Sequence, residues 1–312
     1  MDENTSVLRL QPTPPPVEPA PAVRRGWVRA VLSYPVWFAS LLLCALITHS
    51  VLRLSNRPDS DLESATNTPI GIVIMLMQLA GTVLVVAVFR RLIDRRSLKS
   101  LGLKLNGKYF GAFIAGVLWG IGLLTTVFLI VYLAGGVTIT GVQFPWGTLA
   151  TLTTIMFMVG INEELYVRGY LLTNFMESTN KYVALLITSL IFSASHMFNP
   201  NWTWVGLANI ILAGLLLGVY FVHQRNLWFP IGMHFTWNLF QGAVFGSQIS
   251  GVPTPSILQT EYSGSELLTG GEFGLEASLA ATATIAVSII LVHLIFRPRP
   301  AAPSSLGNSP AH

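Results

Sequence analysis

Residues 144–168 read FPWGTLATLTTIMFMVGINEELYVR. From Phe144 to Ile161 no residue is charged, which covers most of the roughly 20 apolar residues that a membrane-crossing helix needs. Asn162, Glu163 and Glu164 follow, and Arg168 comes one turn later. A charge at bilayer depth costs about 2.5–3.5 kcal/mol on insertion scales, so ionisable groups there are read as functional first. This stretch therefore predicts a membrane helix that carries polar machinery.

The rest of the chain agrees. Of its 312 residues 52% are hydrophobic and 10% charged, against roughly a quarter charged in a soluble domain. The expected fold class is all-α: a polytopic membrane protein with about eight transmembrane helices around a polar intramembrane cavity. The candidate spans are Val31–Val51, Pro69–Phe89, Phe110–Leu133, Phe144–Leu172, Tyr182–Met197, Trp204–Val222, Leu227–Phe245 and Leu275–Phe296. Residues 1–24, with QPTPPPVEPAPA at Gln11–Ala22, read as a disordered proline-rich cytoplasmic arm. Residues 25–299 form the membrane domain, and 300–312 a disordered tail. The first apolar run lacks a small-residue cleavage site, so it is read as a retained helix. The single cysteine, Cys44, excludes an intrachain disulfide and a cysteine metal cluster.

The net charge of +4 does not point to nucleic acid, because the basic residues flank apolar runs. Arg24, Arg25 and Arg29 precede the first span. Arg90, Arg91, Arg95, Arg96, Lys99, Lys104 and Lys108 lie between the second and third. Lys181, Arg225, Arg297 and Arg299 fall on the same side if the spans alternate. The opposite loops hold Asp59, Asp61, Glu63, Glu261, Glu266 and Glu272, with Arg53 and Arg57 as their basic residues. The positive-inside rule then puts both termini in the cytoplasm. Two GxxxG patterns, Gly116–Gly120 and Gly214–Gly218, suit close helix approach.

Three polar motifs sit inside spans. In Glu163-Glu164-Leu165-Tyr166-Val167-Arg168 the spacing puts Glu164 and Arg168 on one helix face, while Glu163 is turned about 100° away. Glu164 and Arg168 can form an ion pair; Glu163 is left without a local cation, as suits a general base. The second motif is Phe192-Ser193-Ala194-Ser195-His196. In the third, His234-Phe235-Thr236-Trp237-Asn238, His234 and Asn238 project together and could stabilise an oxyanion or bind a metal. A lone intramembrane histidine is more often a packing residue, which is the reading for His49, His223 and His293. A carboxylate pair by itself also fits a proton or ion relay. Three motifs at helical spacing in one stretch favour chemistry over either.

EELYVRG, then FSASH, then LWFPIGMHFTWNLFQG resemble the CPBP family of intramembrane proteases: type II CAAX prenyl proteases and the bacteriocin-processing, Abi-like proteins. The pattern is EExxxR, FxxxH and HxxxN on separate helices, and the protease-like core covers 145–246. The resemblance implies that Glu163 with His196 activates water, that Glu164 and Arg168 hold their helix, and that His234 and Asn238 hold the carbonyl oxygen as it becomes an oxyanion. It leaves the cofactor open: none, or zinc on Glu163, His196 and His234, although no HExxH helix is present. The implied activity is an intramembrane endopeptidase acting on a membrane-associated peptide, prenylated CAAX-type substrates among the candidates, in a bacterial cell membrane. Membrane lipid and a lipidated or membrane-bound peptide are the expected partners, and nucleic acid is not. An ion-coupled transporter and a non-catalytic membrane scaffold are the alternatives; no inverted repeat supports the first.

The motifs lie at different depths in evenly placed spans. They converge if a continuous helix from Phe144 to about Phe175 centres Glu163, and if Asn199-Pro200 stops the fifth span early.

Overall fold

A computed structural model describes residues 19–54 and 68–298. Most of the arm, the tail, and the acidic loop with Arg57, Asp59, Asp61 and Glu63 lie outside the described residues. Of the stretch read as an arm, residues 19–24 lie against the turn after the second helix: the Ala22 N–H donates to Ile93 O at 2.8 Å.

The helices are α1 Gly26–Leu54, α2 Pro69–Val88 with a π turn Phe89–Ile93, and α3 Gly107–Leu133. Next comes α4, Trp146–Glu164, running on as a π-helical stretch Leu165–Leu172 and a last turn Thr173–Met176. Then follow α5 Lys181–Ser195, α6 Trp204–Gln224, α7 Trp228–Leu239 with a π turn Phe240–Val244, and α8 Leu279–Phe296. Side-chain caps set several starts. Thr68, Asn106, Asn180, Thr203 and Ser278 each accept a backbone N–H of the first turn, satisfying donors that have no intrahelical partner.

The protein is an all-α, integral membrane protein. Six helices among the described residues have the length and apolarity to cross a membrane; the run 146–176 carries Glu163, Glu164 and Arg168, and α7 carries His234 and Asn238. Residues such as Leu43, Leu84, Leu118 and Ile290 leave large apolar surfaces exposed on α1, α2, α3 and α8, as lipid-facing helices do. The π stretch of α4 is instead buried at every position from Leu165 to Leu172. One element was not expected from the sequence: β1 Val137–Val142 pairs antiparallel with β2 Leu258–Tyr262. This hairpin-like pair joins two loops at one end of the bundle.

Lipid gives helices no hydrophobic reason to associate, so close packing and polar contacts hold them together. Both GxxxG patterns serve the first. A Cβ on Gly116 would lie 2.1 Å from Phe229 O, and one on Gly120 2.5 Å from Met233 O, so α3 presses backbone to backbone on α7. A Cβ on Gly214 would meet Ser189 at 2.8 Å, and one on Gly218 would strike Leu185 of α5. Polar contacts dominate at the arginine-rich end. Asp94 takes Arg29 Nη1 at 3.2 Å and Arg90 Nη1 at 2.7 Å, with all three side chains buried. Tyr170 and Asn174 of the 146–176 helix donate to the same carboxylate, and Arg29 also pairs with Glu177. Two of the arginines counted as topology signals are thus pins that fix the far end of the helix bearing Glu163. Trp37 of α1 stacks on Tyr166 at 4.1 Å and donates to Thr82 of α2 at 2.9 Å, pinning its middle.

The helix lengths let the motifs converge. The run 146–176 is about 45 Å long at 1.5 Å per residue, and Glu163 falls near its middle. Helix α5 has 15 residues, or about 22 Å, short of the ~30 Å hydrocarbon core. It ends in the 3-10 turn His196–Phe198, just before Asn199-Pro200, so His196 stays inside the bundle.

Candidate active site

Three elements bring the motifs to one place. Glu163 and Glu164 come from the end of α4, His196 from the end of α5, and His234 and Asn238 from α7. Glu163, His196, His234 and Asn238 line a single cavity of about 310 Å³.

Glu164 is fully buried, and its Oε1 accepts from Arg168 Nη1 at 2.8 Å and from His234 Nδ1 at 2.9 Å. Arg168 is buried too, with its guanidinium 4.4 Å from the centre of the Phe192 ring and Nη2 directed at Gly214 O. The pair is therefore more than a clamp on its own helix. Through His234 it reaches α7, and through Phe192 it reaches α5.

Each histidine has an oxygen within hydrogen-bond distance of Nδ1, a backbone carbonyl for His196 and a carboxylate for His234. Phe192 O lies 2.8 Å from His196 Nδ1, so Nδ1 carries the hydrogen and a neutral His196 offers a lone pair at Nε2. An ionised Glu164 imposes the same on His234, whose Nε2 stands 3.8 Å from Glu163 Oε2. His234 can donate from Nε2 only when its ring carries both protons. Phe192 organises the group: its ring meets His196 edge-on at 4.7 Å and His234 at 6.3 Å. The phenylalanine of FxxxH thus has a physical task, separating the guanidinium from the imidazoles while its carbonyl sets one of them.

Glu163 Oε2 is buried and has no hydrogen-bond partner among the described residues. A gap of 3.8 Å to an imidazole nitrogen is too long for a hydrogen bond, yet one water lying to the side can reach both atoms. Among the described residues no three His, Cys, Asp or Glu side chains stand close enough to hold a metal ion together. Of the histidines read as packing residues, His223 and His293 contact each other at 3.1 Å on α6 and α8, and neither lines the cavity.

Sequence reasoning missed part of the lining: Asn209 of α6, Ser250 and Thr254 of a loop, and Glu276. Glu276 was placed within the last span. That span begins instead at Leu279, and Glu276 stands before it on a 3-10 turn, Leu275–Ala277. Its signal in the sequence was weak, a single acid at the edge of an apolar run.

Fold and site together define a class: helical integral membrane proteins with carboxylates and imidazoles gathered in a cavity inside the bundle. Within that class, residues 145–240 match the family model described as Rce1-like, type II CAAX prenyl endopeptidase Rce1-like, consistent with the resemblance to CPBP intramembrane proteases. The chain is also 30% identical over 132 residues to an uncharacterized 24.3 kDa protein of Escherichia coli; the alignment covers 38% of this chain and 59% of the length of that protein.

Proposed function

We propose that this protein is an intramembrane endopeptidase that hydrolyses a peptide bond of a membrane-associated or lipidated substrate, CAAX-type peptides among them. The observation that carries the reading is the meeting of Glu163, His196, His234 and Asn238 from three separate elements in one cavity, with Glu163 and His234 3.8 Å apart. A water in the cavity gives a proton to Glu163 and its oxygen attacks the peptide carbonyl carbon. His196, with its lone pair at Nε2, orients that water. The carbonyl oxygen gains negative charge and takes hydrogen bonds from Asn238 Nδ2 and, when its ring carries both protons, from His234 Nε2. The C–N bond then breaks, and the proton held by Glu163 passes to the leaving nitrogen. Preorganised donors of this kind act strongly where bulk water is excluded.

A metal route has the same residues available. Zinc on Glu163, His196 and His234 would need these side chains to draw closer together, and we favour the route without it. The deciding experiment is peptide cleavage by the purified protein in detergent or liposomes, with and without a chelator. Cleavage that survives the chelator supports the glutamate–histidine route. Loss with the chelator and recovery with added zinc would support the metal route and keep the hydrolase.

Asn238→Ala is expected to cut kcat by about 10²–10³, as loss of one oxyanion donor does elsewhere, with KM little changed because the bond strengthens mainly in the transition state. A rise in KM with kcat intact would instead make Asn238 a substrate-binding residue.

The proposed orientation has both termini in the cytoplasm and the β1–β2 pair outside. Thr138 and Ser263 are exposed there, and the one native cysteine is buried. Cysteines placed at these two positions are expected to react with an impermeant maleimide added to intact cells. Reaction only after permeabilisation would invert the topology.

A further inference from the structure

The cavity lining, as described, contains two carboxylates, Glu163 and Glu276, two imidazoles, and no lysine or arginine. Glu276 is 8% exposed. Among the described residues the other deeply buried carboxylates each have a guanidinium: Asp94 has Arg29 and Arg90, and Glu164 has Arg168. Among the described residues Glu276 has none within ion-pair distance. Its Oε1 accepts from the Ser250 hydroxyl at 2.6 Å.

The backbone around Glu276 is fixed by contacts from three directions. Asn209 Nδ2 of α6 donates to Glu276 O at 2.8 Å and to Ser278 O at 2.9 Å, while Asn209 Oδ1 accepts from Thr282 Oγ1 at 2.7 Å. The Leu275 N–H donates to Ser247 Oγ at 2.9 Å. Gly274 has φ +104°, and a Cβ there would lie 1.9 Å from Gln248 O. Ser250 itself takes a left-handed conformation, φ +47°, which is uncommon for a residue other than glycine. Such strain persists only where the surroundings over-determine it. Burying a carboxylate without a cation is costly, and here a whole loop is arranged to do so at the wall of the site. Burial pushes the Glu276 carboxyl up from its ordinary range, against the opposing pull of the Ser250 hydroxyl and of the His196 and His234 imidazoles.

We propose that Glu276 is a specificity-determining residue that receives a cationic group of the substrate peptide, a lysine or arginine side chain or a free amine, near the scissile bond. The proposal rests on the endopeptidase reading for its substrate, and on the cavity alone for its charge. One cavity connects Glu276 to Glu163, so a peptide anchored at the first can present its backbone to the second. An ionised Glu276 equally disfavours a substrate carboxylate beside it.

The test uses fluorescent peptides of one apolar sequence in which Lys, Gln or Glu occupies each central position in turn. Binding is measured by anisotropy to the full chain carrying Glu163→Gln, in phosphatidylcholine liposomes, so that no turnover is needed. At the best position the Lys peptide is expected to bind at least about tenfold more tightly than the Glu peptide, the scale of one partly desolvated charge contact. Adding Glu276→Gln should bring the two within about twofold, a difference too small for a charge contact, with no change in melting temperature, because the amide oxygen still accepts from Ser250. Glu276→Lys should reverse the order. Equal binding of Lys and Glu peptides, discrimination that survives Glu276→Gln, or no measurable binding of any Lys peptide would each overturn the proposal. Cleavage by the chain with Glu163 intact is followed in parallel. Charge-selective binding without cleavage leaves the subsite standing and removes the endopeptidase reading; cleavage without charge preference does the reverse.

Discussion

Glu163→Gln is expected to lower peptide cleavage by about 10²–10⁴-fold, the range that a positioned general base supplies, while the melting temperature stays at that of the parent. Glutamine keeps the shape of the side chain and loses only the ability to take a proton. The fold should not notice, because Glu163 Oε2 makes no hydrogen bond among the described residues, and its contact with His234 Nε2, at 3.8 Å, is too long for one. Its neighbour Glu164, chemically identical, differs at Oε1, which accepts from both Arg168 and His234. The measurement is single-turnover cleavage in detergent beside a thermal melt. Full turnover in the variant would remove Glu163 from the chemistry. Lost turnover with a lowered melting temperature would make it a structural residue. Only lost turnover with an unchanged melt fits a base.

What could be read from the sequence, and what could not, follows the range of the interactions. The Glu164–Arg168 pair was legible because both partners lie on one turn of one helix, and it closes at 2.8 Å. The length of the run 146–176 and the early stop of α5 at Asn199-Pro200 were legible because proline and apolar length act locally. The hydrogen bond from His234 to Glu164 was not, since it joins positions 70 apart in the chain. Spacing therefore assigned His234 to Asn238 alone, when it also lies between both glutamates. Asp94 was hidden among basic residues, and only the approach of α1 makes it the hub for Arg29 and Arg90. Glu276 was hidden by the apolar run beside it. Its place in the cavity is made by Asn209, 67 positions away, and by Ser250, 26 away, which no local pattern encodes. The β1–β2 pair was missed for the same reason: its strands are short and joined only through the bundle between them.

Removing one partner of the Glu164–Arg168 pair is expected to destabilise the protein by about 3–5 kcal/mol, because the other is left as an uncompensated buried charge. Arg168→Ala leaves Glu164 with His234 as its one donor among the described residues. It also takes away the guanidinium that lies on Phe192, whose carbonyl sets His196. Glu164→Ala strands Arg168 and frees His234 Nδ1 at the same time. Both single variants should melt well below the parent and lose activity, so neither alone separates stability from chemistry. The double variant Glu164→Ala with Arg168→Met does. Replacing a buried pair by apolar residues is often neutral or stabilising, so the melt should recover most of the loss. Cleavage should not recover, because nothing then holds the proton on His234 Nδ1 and its ring is free to turn. Adding Glu164→Gln as a third single variant refines the point: its amide oxygen can still accept from His234, so it should retain more turnover than Glu164→Ala at similar stability. Single variants as stable as the parent would mean that the pair bears no load in the bundle. A double variant that regained cleavage along with stability would reduce Glu164 to a clamp and leave His234 to be positioned by α7 alone.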